Sequence, residues 1–156
     1  GVNGEKSKEE PVHFDASSGG FLTCLKKIVN NFQQGVIRTE VLRQTALDRY
    51  YPSGDLVLVA EHALYGKLQV LPEVTLYRRK TPGTFTGMRS PLALQQLYDP
   101  DASKPMRLIR LRYYLDAIAS TLRAPLSLSE KRLCVDSAVR RMWWEKQRIA
   151  RELFDH

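Results

Sequence analysis

Several segments of this chain place apolar residues at the three- and four-residue spacing of an amphipathic helix. The spacing predicts helices over 21–29, 55–65, 91–98, 105–124 and 128–154. Punctuating residues support these bounds, since Gly66 follows the second helix and Pro125 ends the fourth. Ser127 and Glu130 have the spacing of a capping box at the start of the last helix. The helical pattern therefore accounts for most of the chain.

Two short stretches are more typical of strands. Residues 34–38 and 67–79 carry short apolar and β-branched runs, and Pro72-Glu73 interrupts the second of them. We therefore expect an α+β fold that is mostly helical, with a small sheet packed against the helix over 55–65. The edge of such a sheet would be open to pairing with another chain, which predicts dimerisation or strand exchange.

Positive charge is concentrated in the last third of the chain. The whole sequence has 24 basic and 17 acidic residues, and 12 of the basic and 6 of the acidic ones lie in residues 104–156. A field of this kind attracts phosphates in nucleotides, nucleic acids or anionic lipid headgroups. The alternative is a solvated, arginine-rich helix face. We expect residues 1–20 to be a flexible lead-in and residues 104–156 to form a basic helical region.

Cysteine and histidine are too few and too scattered for a metal site or a disulfide framework. The chain has two cysteines and three histidines, none of them at ligand spacing: Cys24, Cys134, His13, His62 and His156. Both thiols are expected to be buried, and His62 is expected to be a core residue of its helix. No phosphate-binding glycine loop or nucleophile elbow occurs either.

The remaining composition predicts a cytoplasmic setting. No apolar run approaches the ~18 residues that a membrane span needs. The first ten residues are polar and lack the apolar stretch of a secretory signal. Together with the two unpaired cysteines, this predicts a reducing compartment, and the basic charge adds the expectation of peripheral contact with a membrane surface.

Asp55 is the strongest candidate for chemistry. It stands at the mouth of a predicted helix, directly after Ser53-Gly54. A carboxylate that is exposed and held in a fixed orientation can act as a general base. The alternative is an ordinary N-cap, which aspartate also favours.

Several further features follow one another in a characteristic order. Gly35 and Arg38 come first, Asp55 then opens its helix, and the pairs Pro72-Glu73 and Tyr77-Arg78 follow. The turn Thr81-Pro82-Gly83-Thr84 closes the series. This order resembles the C-terminal half of family 2 glycosyltransferases, which have the GT-A fold. The resemblance covers about residues 32–85 and identifies residues 21–99 as an acceptor-side region.

The resemblance implies a role for each matching residue. Asp55 would be the catalytic base that deprotonates the acceptor hydroxyl. Arg78 or Arg79 would stabilise the charge that develops on the nucleoside diphosphate leaving group, and Thr81 and Arg38 would contact substrate. The family also implies a divalent cation, Mg²⁺ or Mn²⁺, a nucleotide-sugar donor, and a glycan or lipid-linked acceptor.

The sequence departs from the family pattern in three ways. Gly54 replaces the acidic residue that normally precedes the base, and Thr81 replaces a histidine. No β-α-β nucleotide-binding segment or Asp-x-Asp metal motif precedes residue 20. We therefore expect this chain to be inactive alone, as a fragment, a degenerate copy or one part of a split enzyme.

A second hypothesis remains open beside the enzyme. The chain would then be a non-enzymatic basic helical module that binds nucleic acid or a partner protein. Four aromatic residues near arginines could stack on bases, although their helical spacing also suits core packing: Tyr113, Tyr114, Trp143 and Trp144.

Overall fold

The computed structural model describes residues 18–26, 35–69 and 90–154. These residues are predominantly helical. Seven helices are found in the described ranges: α1 (Ser18–Lys26), α2 (Thr39–Leu42), α3 (Gly54–Tyr65), α4 (Pro91–Gln96), α5 (Ile109–Arg123), α6 (Leu128–Trp144) and α7 (Lys146–Phe154). The helix α1 begins at Ser18, three residues earlier than predicted, so the end of the predicted lead-in is helical.

The prediction of an α+β fold with a small sheet was wrong. The described ranges contain no β-strand, and residues 35–38 are irregular; Leu68 forms only an isolated bridge. Val36 is fully exposed, so its β-branched side chain has no sheet surface to pack on, and packing is what β-propensity measures. Residues 70–79 of the second predicted strand region lie outside the described residues. The expectation of dimerisation or strand exchange was drawn from the edge of this sheet, so it has no support from the described structure.

The core lies where α1, α3, α5 and α6 meet. Helix α1 packs against α3 and α6, and α5 packs against both α3 and α6. Phe21 of α1 is completely buried in this core. Small residues fill much of the remaining contact surface, namely Ala60 and Ala63 of α3, Ala117 of α5 and Ala138 of α6. Small side chains allow the helix axes to approach closely, so Phe21 supplies much of the bulk that fills the space between them.

Cysteine burial was predicted correctly. Cys24 and Cys134 are both free and buried in the core. Burial raises the pKa of each thiol to about 11, because the low-dielectric interior disfavours the thiolate. Neither cysteine is therefore a candidate nucleophile.

The helix bounds follow the predicted signals in most places. Ser90 caps α4 by accepting a hydrogen bond from the Ala93 N–H at 3.3 Å. At the start of α6 the Ser127 side chain accepts the Glu130 N–H, and the Glu130 carboxylate accepts the Ser127 N–H, so the predicted capping box is confirmed. Helix α5 ends just before Pro125, as expected.

Two helix predictions were wrong in detail. The helix predicted from Pro105 begins only at Ile109, because Leu108 adopts a left-handed backbone conformation (φ 57°) that precedes the first turn. The single helix predicted to reach Phe154 is divided into α6 and α7 at Glu145, whose ψ of 6° departs from helical geometry. None of the helices within the described ranges combines the length and apolar character that crossing a membrane requires.

Candidate functional site

Asp55 occupies the second position of α3. The N-cap of that helix is Ser53, which has a left-handed backbone (φ 75°) and makes no side-chain capping bond. The Asp55 Oδ1 accepts a hydrogen bond from the Leu56 N–H at 3.0 Å, and the residue is half-buried. Asp55 is therefore not the N-cap of α3. Its carboxylate is held by the first turn of the helix, where the positive end of the helix dipole favours a negative charge.

The backbone around Gly54 explains why the acidic neighbour expected by resemblance is missing. A Cβ atom at this position would lie 2.6 Å from the Arg49 Cβ and 2.7 Å from the Arg49 carbonyl oxygen. Contacts this short do not occur without movement of the backbone. The loop that precedes α3 thus folds tightly against Gly54, and an aspartate there would require a different loop.

A cleft of about 360 Å³ lies close to Asp55. Its walls come from two turns, one before α3 and one after α4: Leu47, Asp48, Arg49, Tyr50, Leu97 and Tyr98. Burial raises the pKa of Tyr98, and the negative charges of Asp55 and Asp48 raise it further. The charges of both carboxylates therefore act on a residue of the cleft wall.

The cleft presents groups suited to a polyhydroxylated ligand. Carboxylates such as that of Asp48 accept hydrogen bonds from hydroxyl groups. Tyr50, which is 81% exposed, offers an aromatic ring with a polar tip. An acceptor hydroxyl bound in this cleft would lie beside Tyr98, the cleft residue whose pKa the Asp55 charge raises.

A buried charge network supports one wall of the cleft. Glu61 of α3 is completely buried, and its Oε1 accepts a bond from the Arg123 Nη2 at 2.8 Å. Its Oε2 accepts the Ala46 N–H at 3.3 Å and lies 3.9 Å from the Arg49 Nη2. One carboxylate thus ties α5 and the loop before α3 to the middle of α3.

The network continues from Arg49 to α5. The Arg49 Nε lies 3.3 Å from the Asp116 Oδ2, and the Tyr51 hydroxyl donates to the same oxygen at 2.7 Å. Burial raises the pKa of Tyr51, and the hydrogen bond to Asp116 raises it further, so this hydroxyl remains a donor at neutral pH. The loop that contains Arg49 and Tyr51 is therefore held against both α3, through Glu61, and α5, through Asp116.

Sequence reasoning missed this network. Its contacts to α5 join residues more than 60 positions apart, and no local spacing encodes such pairs. One signal was available, because Glu61 is a charged residue in the middle of an otherwise apolar helix. A buried carboxylate requires hydrogen-bonding or cationic partners, so its presence alone predicts an arginine from elsewhere.

The structure describes two of the five predicted site residues, Asp55 and Arg38. Arg38 is the exposed N-cap of α2, a helix that packs against α3. Arg78, Arg79 and Thr81 lie outside the described residues. The grouping of these four residues with Asp55 therefore stays a prediction.

The described residues do not supply a site for the divalent cation that the resemblance implies. No group of three or more histidine, cysteine, aspartate or glutamate residues in the described ranges could hold a metal ion. His62 is buried, and its Nε2 has no hydrogen-bond partner among the residues that the structure describes. Burial lowers the pKa of His62, although the charge of Glu61 acts in the opposite direction. His62 is therefore a core residue, as predicted, and no step of chemistry is assigned to a metal.

Comparison with known proteins gives no family for this chain. No protein-family model, curated protein or solved structure matches it. The functional class is therefore argued from the sequence pattern and from the geometry around Asp55.

Proposed function

We propose that this chain forms the acceptor-side part of a glycosyltransferase that moves a sugar from a nucleotide-sugar donor to a hydroxyl acceptor. The observation that carries the proposal is the position of Asp55, a half-buried carboxylate in the first turn of α3 whose negative charge raises the pKa of Tyr98 in the cleft wall. The Leu56 N–H bond orients this carboxylate, and a general base needs both orientation and access.

In this reaction Asp55 carries out one proton transfer. Its carboxylate takes the proton of the acceptor hydroxyl while that oxygen attacks the anomeric carbon of the donor sugar. The bond between the anomeric carbon and the diphosphate breaks, and the nucleoside diphosphate leaves with the electron pair. Arg78 or Arg79 stabilises the charge on the diphosphate, and Arg38 and Thr81 contact the substrates.

The acceptor belongs to the class of glycans or lipid-linked glycans. The cleft wall includes one carboxylate, one guanidinium group and two tyrosines, which together support a ligand rich in hydroxyl groups. The donor and its divalent cation would be bound by a nucleotide-binding half joined to this chain. The loop that contains Arg49 and Tyr51 supports the proposal, because its contacts to α5 and to Glu61 of α3 hold one wall of the cleft in place.

The test replaces the base without changing its shape. In the chain joined to a nucleotide-binding half, Asp55→Asn is expected to lower sugar transfer by about 10²–10⁴-fold, which is the usual contribution of a general base. The matched control is Asp136→Asn, which removes a carboxylate from an exposed ion pair with Arg140 on α6. The control is expected to keep full activity. Unchanged transfer by Asp55→Asn would remove the proposed base.

A second function is favoured by one specific observation. Trp143 and Trp144 are 65% and 77% exposed, whereas Tyr114 is buried and packs edge-to-face against Tyr113 at 5.2 Å. The two tryptophans are thus available for stacking in a basic helical module. A titration with single- and double-stranded oligonucleotides at two salt concentrations tests this function. Tight binding that weakens steeply with salt supports it, and absence of binding contradicts it.

A further inference from the structure

The C-terminal end of the structure exposes large aromatic residues that the core does not use. Helix α7 is amphipathic in sequence, yet none of its nine residues is buried. Phe154 at its end is 77% exposed, and Leu153 is 44% exposed. The adjacent end of α6 exposes Trp143 and Trp144. An apolar helix face that the core does not cover marks a surface for another partner.

Basic residues surround these aromatic side chains. The aromatic-basic patch is defined here as Arg140, Trp143, Trp144, Lys146 and Arg148. The Lys146 Nζ lies 3.8 Å from the centroid of the Trp143 ring, a cation–π contact. Within residues 136–154 there are five basic and three acidic side chains, so this region carries a net positive charge.

The acidic residues of the region do not neutralise the patch. Arg140 pairs with Asp136, and Arg148 lies 3.9 Å from Glu145. Both arginine side chains remain more than 60% exposed, so they keep contact with solvent. Exposed pairs of this kind are weak and exchange partners readily when a stronger anionic surface is present.

We propose that the aromatic-basic patch docks on an anionic lipid bilayer, with the tryptophan rings at the level of the headgroups and the cations on the lipid phosphates and carboxylates. Charge complementarity supports this occupant, since each lysine or arginine near an anionic membrane strengthens attachment. Tryptophan is the residue that most favours the membrane–water interface, because its ring is apolar and its N–H is polar.

The makeup of α7 favours a bilayer over nucleic acid. Interfacial helices carry lysine and arginine on one face and tryptophan, phenylalanine or leucine on the other. Leu153 and Phe154 add two exposed apolar side chains at the end of α7, and the leucine, being aliphatic, gains nothing from stacking on bases. The docking surface lies on α6 and α7, and its existence does not depend on the proposed sugar transfer at Asp55.

The tryptophans provide a direct readout, because Trp143 and Trp144 are the only two in the chain. Their fluorescence is expected to shift to shorter wavelength when the protein meets vesicles of phosphatidylcholine with phosphatidylserine. Vesicles of phosphatidylcholine alone are expected to give little shift. Raising the salt from about 0.01 M to about 0.15 M should weaken binding, because the Debye length falls from about 30 Å to about 8 Å.

Two variants test the patch by co-sedimentation with the same vesicles. Lys146→Glu with Arg148→Glu is expected to weaken binding about tenfold or more, since two attractive charges become repulsive. Its control is Lys104→Glu with Arg107→Glu, which makes the same change in net charge at two exposed residues before α5. This control is expected to lose much less affinity.

The aromatic contribution is tested separately. Trp143→Ala with Trp144→Ala is expected to weaken vesicle binding about tenfold. Its control is Leu128→Ala at the opposite end of α6, where the side chain is 86% exposed and outside the patch. Circular dichroism checks that each variant is folded; if the double alanine variant is not, the charge variants and the fluorescence shift decide the question.

Four outcomes would overturn the proposal. One is absence of binding to the anionic vesicles, and another is equal binding to vesicles of phosphatidylcholine alone. The third is an equal loss in the two charge-reversal variants, because net charge alone would then explain attachment. The fourth is a dimer or an oligonucleotide complex that the tryptophan variant loses while vesicle binding is unchanged.

Discussion

Helices α3 and α7 differ in how deeply they bury their residues, charged ones included. Eight of the twelve residues of α3 are buried, and none of the nine residues of α7 is. Yet each helix carries a glutamate bonded to an arginine of α5. Glu61 meets Arg123 at 2.8 Å, and Glu152 meets Arg110 at 2.5 Å. The two pairs have similar chemistry and similar partners, so they differ mainly in their surroundings.

Because of this difference, we expect the two ion pairs to contribute unequally to the free energy of unfolding. The Glu61 side chain is completely buried, and within the described residues its charge is satisfied by Arg123, Arg49 and the Ala46 N–H. The Glu152 side chain is 19% exposed and its partner Arg110 is 44% exposed, so water solvates both charges. Removing one member of a buried pair leaves an uncompensated charge in the interior, whereas an exposed partner returns to water.

The largest expected effect comes from Glu61→Ala. We expect the free energy of unfolding to fall by about 3 kcal/mol or more, because Arg49 loses one of its two acidic partners and the Ala46 N–H loses its acceptor. Arg123 is 44% exposed and is expected to be solvated, so it adds little to this loss. Urea denaturation measures the change. A loss below about 1 kcal/mol would mean that this network is not a stabilising element.

The next largest effect is expected from Gly54→Ala at the start of α3. The new methyl group would meet the Arg49 Cβ and carbonyl oxygen at 2.6 and 2.7 Å, so the loop must move, at a cost of about 1–3 kcal/mol. The same substitution at Gly66 is the control. Its Cβ would have its nearest contact at 3.9 Å, and its φ of −163° is open to any residue. Equal destabilisation by both alanines would show that Gly54 is not tightly packed.

These two positions also show what the sequence could reveal about the fold. Helix α3 was predicted to within one residue, because Asp55 and Gly66 mark its ends and its apolar run has the length of a buried helix. The capping box before α6 was equally reliable, since both of its partners lie within four residues of each other. Signals of this kind are local, so a short stretch of sequence contains every residue that they require.

Non-local features escaped prediction for a physical reason. The β-branched residues around Val36 favour a strand only when a neighbouring strand pairs with them. The sequence of the segment does not show whether such a strand is present. The same holds for Glu61 and Arg123, which meet only because α3 packs on α5. The role of Asp55 stays a prediction, and the cleft near the start of α3 is formed by two turns whose contact the sequence does not specify.

A smaller effect is expected in the pH dependence of stability, through His62 of α3. Burial lowers the pKa of His62 in the folded protein below its ordinary value of 6.5, despite the opposing charge of Glu61. The unfolded chain therefore binds more protons below about pH 6.5, and stability is expected to fall as the pH decreases from there towards the folded-state pKa.

The variant His62→Leu isolates this contribution. It removes the titrating ring, so the loss of stability between pH 7 and pH 5 should be smaller than in the parent chain. The difference in slope cannot exceed about 1.4 kcal/mol per pH unit, the limit for one proton. Urea midpoints at several pH values measure it, and parallel curves for the two proteins would contradict a neutral buried histidine.

The smallest effect is expected from Glu152→Ala on α7. Glu152 also accepts the Arg110 N–H at 3.2 Å, so it caps the first turn of α5 as well as pairing with the Arg110 side chain. Both bonds are part-exposed, and we expect a loss of about 1 kcal/mol or less. Salt sharpens the comparison with α3, because added salt should weaken the exposed pair and leave the Glu61 pair nearly unchanged. A loss as large as that of Glu61→Ala, or one insensitive to salt, would show that exposure is not what separates the two helices.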